Sequence, residues 1–107
     1  MQGDSEKQLS TDDVVELVTQ IETLLRSSAL PEEQKQKVLK HLDSVKEEAK
    51  CEEPDKGFAA KSLQRATKVL KDASDTVDAG NGLWKRLEPI VTKLIPWFGE
   101  AKSFLGF

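Results

Sequence analysis

Apolar positions recur with helical spacing through most of this chain. Val14, Val18, Ile21 and Leu25 fall at intervals of 4, 3 and 4, with Leu17 and Leu24 beside them, the stripe of an amphipathic helix. Ser10-Thr11-Asp12-Asp13 comes just before. A hydroxyl there can accept an orphan backbone N–H, and the aspartates favour the positive end of the helix dipole. Val38, Leu42, Val45 and Ala49 repeat the spacing after Pro31, a residue suited to a first helical turn. The third stripe is Leu63, Ala66, Leu70, Ala73 and Val77, preceded by Glu53 and Asp55, either of which is placed to cap it. Its alanines let a neighbouring helix approach closely.

Ala79-Gly80-Asn81-Gly82 predicts a stop, because glycine is the favoured residue just past a helix and a costly one inside it. The register of Val77 nevertheless runs on through Gly80 to Trp84, Leu87 and Val91, so one long kinked helix is a second reading. No stretch alternates in the manner of a strand. The pattern predicts an all-α fold, a small antiparallel bundle of three to four helices with an aromatic-rich, Pro-interrupted C-terminal helical segment. Expected helices span roughly 11–27, 31–50, 55–79 and 83–95, with a short segment over 97–106. Residues 1–9 read as a flexible tail, and 10–107 as a single domain.

Residues 82–107 differ from the rest. They hold Trp84, Trp97, Phe98, Phe104 and Phe107, five of the six aromatics, and carry +2 against −5 for residues 1–81. Leu83, Leu87, Ile90, Leu94, Trp97, Ala101 and Phe104 form one row, and Trp84, Val91, Phe98 and Leu105 a second beside it. Two rows make a face too wide for one helix contact, so this segment must touch two neighbours, or one neighbour and something external. Pro89 and Pro96 each remove a backbone hydrogen bond and predict a bend, with a break near Ile95-Pro96 after which a new register can start. Trp84 through Leu94 read mainly as core. Trp84, Val91, Trp97, Phe98, Phe104, Leu105 and Phe107 are the candidate interaction surface, since exposed aromatics mark contacts.

Charge and chemistry narrow the function. The net charge is −3, against a nucleic-acid partner, which calls for a basic surplus. Cys51 is the only cysteine, which excludes an intrachain disulfide and points to the cytoplasm. His41 is the only histidine; with Cys51 it makes too small a set for zinc, and no metal or cofactor is expected. A thiol followed by Glu52 and Glu53 lacks the positive surroundings of a reactive cysteine. The glycines at 80 and 82 lack the strand and Gly-Lys-Ser/Thr ending of a phosphate loop. Paired charges such as Glu33/Lys37 and Glu22/Arg26 read as helix support. No spanning segment of about 20 apolar residues occurs. The expectation is a non-enzymatic protein–protein interaction module with no small-molecule substrate, docking on another protein or on itself as a homodimer. The alternative is a peripheral membrane-associating or membrane-perturbing protein acting through the amphipathic C-terminal segment.

Overall fold

A computed structural model describes residues 9–76 and 78–105, without the side chains of 74–81. Among these residues four α-helices follow one another: α1 (Thr11–Arg26), α2 (Glu32–Lys50), α3 (Lys56–Thr76) and α4 (Asp78–Phe98). A 3-10 helix, η1 (Gly99–Phe104), follows α4. Each helix packs on its predecessor and α4 returns to α1, so the four close into a ring with α1 and α3 at opposite corners.

Local chemistry sets the helix starts. Ser10 accepts the Asp13 N–H at 3.1 Å while Asp13 accepts the Ser10 N–H at 3.2 Å, a reciprocal cap that satisfies donors no intrahelical carbonyl can reach. Pro31 sits just ahead of α2 rather than inside it. Asp55, not Glu53, caps α3 by accepting the Phe58 N–H at 3.0 Å. Leu9, expected in the tail, packs against the core; the remaining tail residues 1–8 lie outside the described residues.

Neighbours run antiparallel. Thr11 Oγ1 donates to the Ala49 carbonyl at 3.0 Å, and at the other end Lys35 Nζ donates to the Arg26 carbonyl at 3.0 Å. Lys56 Nζ lies 5.0 Å from the Trp97 ring centre and Lys71 Nζ 5.2 Å from that of Trp84. The first pair joins the start of α3 to the end of α4 and the second the end of α3 to the start of α4, so these two helices are antiparallel as well. The reading of one long helix is excluded.

The core is continuous through all four helices. Leu42, Leu70 and Leu87 lie inside it, as do Ala59, Ala60, Ala66 and Ala73 of α3. Val77, the last seam position read from the sequence, lies outside the described residues.

Two expectations about breaks are corrected. The glycines at 80 and 82 do not end a helix; they lie in the opening turns of α4, which starts at Asp78 rather than Leu83. The Gly80 N–H, in the first turn, has no intrahelical partner in any case, so glycine costs less there than in an interior, and Gly82 is carried as a helical residue of the second turn. Pro89 and Pro96 do not break α4 either, since it runs through both to Phe98. Both prolines are exposed, as are Lys85 and Thr92, whose carbonyls lose their i+4 donor and can turn to water. The break comes at Gly99, whose φ of 60° places it in the left-handed region that favours glycine.

Candidate interaction surface

Four of the seven sequence-predicted surface residues belong to the core: Val91 at 2% exposure, Trp97 at 6%, Phe98 at 1% and Leu105 at 2%. Helix α4 is wedged between α1 and α3, so its two apolar rows face two neighbours and need no external cover. Trp97 and Phe98 pack edge to face, centroids 5.0 Å apart at 78°, a favoured aromatic geometry. Trp84 is half-buried beneath Lys71. Phe107 lies outside the described residues. Beyond Gly99 the 3.0-residue turn of η1 abandons the α-helical register, which puts Leu105 inside and Phe104 outside.

Among the described residues, the large hydrophobic side chains left exposed are Phe58 at 48% and Phe104 at 45%. They share one corner of the bundle. η1 turns back across the start of α3, and a β-carbon at Gly57 would lie 3.6 Å from the Phe104 ring. Lys61 Nζ stands 4.9 Å from that ring centre. Phe58 follows Gly57 and precedes Lys61 by one helical turn, on the same side of α3. The corner is held firmly: Asp55 caps Phe58, and Glu48 Oε1 of α2 accepts the Asp55 N–H at 2.8 Å. Sequence patterning missed Phe58 because it falls outside the α3 seam. Its signal was its isolation, the single aromatic ahead of residue 84.

Charge divides across the ring. α1 carries Asp12, Asp13, Glu16 and Glu22 against Arg26 alone, whereas α3 carries Lys56, Lys61, Arg65, Lys68 and Lys71 against Asp72 and Asp75. Lys61, Arg65 and Lys68 are exposed. The positive field reaches α2: His41 is half-buried, and its pKa lies below 6.5 through desolvation first, then the charges of Arg65 and Lys40.

An open groove runs along the α1–α4 seam. One stretch, about 390 Å³, is lined by Leu24 and Ile90 with Glu16, Thr19, Gln20 and Thr23. Nearer the η1 end, Glu16 also lines a second stretch with Leu9, Leu17 and Pro96, flanked by Asp13 and Lys93.

The groups considered for chemistry stay apart. His41 lies on α2 and Cys51 just past its end, separated by about 13 Å of helical rise from His41 to Lys50, too far for a nucleophile–base pair. The Cys51 thiol is exposed and donates to the Glu47 carbonyl at 3.4 Å. Glu22 does not serve as an i,i+4 partner of Arg26; it is buried and pairs with Lys46 of α2 at 2.8 Å. Its Oε2 has no hydrogen-bond partner among the described residues. Among the described residues no cluster of three His, Cys, Asp or Glu side chains could hold a metal, and no helix is long and apolar enough to cross a membrane. Comparison with protein-family models, with curated proteins and with solved structures finds no match for this chain.

Proposed function

We propose that this chain is a non-enzymatic helical interaction module, working in the cytoplasm, that docks on a protein surface through the corner formed by η1 and the start of α3. The observation that carries this reading is the exposure of Phe58 and Phe104 on one firmly capped corner, with Lys56 and Lys61 at its edge. Large rigid aromatics with a polar rim are the side chains that supply most of the energy at protein interfaces. The lone exposed thiol of Cys51 suits a reducing compartment. The docking element remains the C-terminal aromatic segment, with Phe104 as its outward residue and Phe58 added from α3. A photo-crosslinking phenylalanine analogue at position 104 tests this in the cell. The expected product is a discrete protein adduct that is lost when Phe58 is changed to Ala. Adducts with lipid alone would instead support the peripheral membrane reading, and no adduct at all would end the docking reading.

A further inference from the structure

We infer that the partner is a second copy of this chain, bound head to tail, with the Phe58–Phe104 corner of one copy seated in the α1–α4 groove of the next. The inference rests on the docking reading above and gives it an occupant. Both halves of such a contact are present on one molecule, on different sides of it. The corner offers two exposed phenyl rings and a basic edge of Lys61 and Arg65. The groove offers an apolar floor of Leu17, Leu24 and Ile90, with exposed Glu16 lining both of its stretches. Lys93 is the basic residue along it, beside Asp13. Because α1 and α3 occupy opposite corners with no close backbone approach among the described residues, the acidic and basic helices of one copy do not pair side by side. Those of successive copies can, with the apolar surfaces buried in the same step. Complementary potentials of this kind fix register and exclude wrong partners.

A head-to-tail contact uses two different patches, so copies continue past a dimer or close into a ring. That separates it from a two-fold pairing of corner on corner, and two charge reversals at exposed positions read the difference. Lys61→Glu confronts Glu16 of the next copy, and Glu16→Lys confronts Lys61. Each alone should weaken self-association about tenfold or more. Mixed together, the Lys61→Glu copy supplies an intact groove to the intact corner of the Glu16→Lys copy, and their altered patches are again of opposite sign. Light scattering at low salt should therefore show the wild type growing in mass with concentration, each variant remaining small, and the mixture recovering wild-type assembly. Circular dichroism of each variant confirms that it is folded. A wild type that stays monomeric at high concentration overturns the inference, as does a Glu16→Lys variant that associates like the wild type, or a mixture that fails to recover. If position 104 crosslinks to a different protein while the wild type is monomeric, docking stands and self-association falls.

Discussion

Truncating Phe98 to alanine removes the largest of the fully buried side chains and, with it, the edge-to-face contact to Trp97. Aromatic-to-alanine changes in a core cost about 3–5 kcal/mol, and the lost ring pair, about 0.5–1.5 kcal/mol in its own right, places Phe98→Ala in the upper half of that range. Phe104 is the control from the same segment. With 45% of it exposed, Phe104→Ala forfeits about half of the roughly 1.5–3 kcal/mol for burying such a side chain, so about 0.8–1.5 kcal/mol. The two substitutions should differ by about 3 kcal/mol. Urea unfolding followed by tryptophan fluorescence measures both, since Trp84 and Trp97 lie on α4. Phe98→Leu, which keeps most of the apolar volume, should fall between them and guards against an alanine variant too unstable to measure. Equal losses for Phe98→Ala and Phe104→Ala would refute the division of this segment into an inward and an outward aromatic.

Three further outcomes are expected. Lys46→Met strips Glu22 of its cation and leaves a carboxylate of 3% side-chain exposure unpaired, which should cost about 3 kcal/mol in urea unfolding; adding Glu22→Leu should recover most of that loss, and a double variant no better than the single would contradict the pairing. Gly82→Ala should raise stability by about 0.5–1 kcal/mol, because the position is helical and a β-carbon there meets nothing within 4 Å; a loss would show that α4 does not extend back through it. Burial and the charges of Arg65 and Lys40 hold the His41 pKa below 6.5, so the unfolded chain binds the proton first and the native state loses stability as pH falls through 6.5 towards the folded value. Proton NMR should give an imidazole midpoint under 6.5, and His41→Gln should lose less stability than the wild type between pH 7.5 and 5.5; a midpoint at or above 6.5 would contradict this environment.

The all-α bundle was legible because its spacing is redundant: Val14 to Leu25, Val38 to Ala49 and Leu63 to Ala73 each repeat one seam, and every one of those seam residues is buried. The width of the α4 face was also informative, since two apolar rows call for two neighbours, or one neighbour and something external, and α1 and α3 supply the two. Backbone breakers misled. Composition cannot tell a glycine that ends a helix from one in an opening turn, or a proline facing water from one facing a neighbour. Gly80, Gly82, Pro89 and Pro96 therefore all look like interruptions in the sequence, whereas the turn at Gly99 depends on a φ of 60°. Placing the break too early made Trp97 and Phe98 look detached from the core. Phe58 escaped notice for the opposite reason, because its position off the seam is what exposes it, and only the return of η1 brings Phe104 beside the start of α3.

The most direct test of the binding account is sedimentation velocity over a wide concentration range on the wild type and the Phe58→Ala/Phe104→Ala double variant, with melting curves taken on the same samples. Two anchor truncations should weaken association by roughly thirtyfold or more while the double variant still melts cooperatively as a folded bundle. A double variant that associates as tightly as the wild type would contradict the account, and so would a wild type that forms no complex at any concentration and yields no protein adduct from position 104.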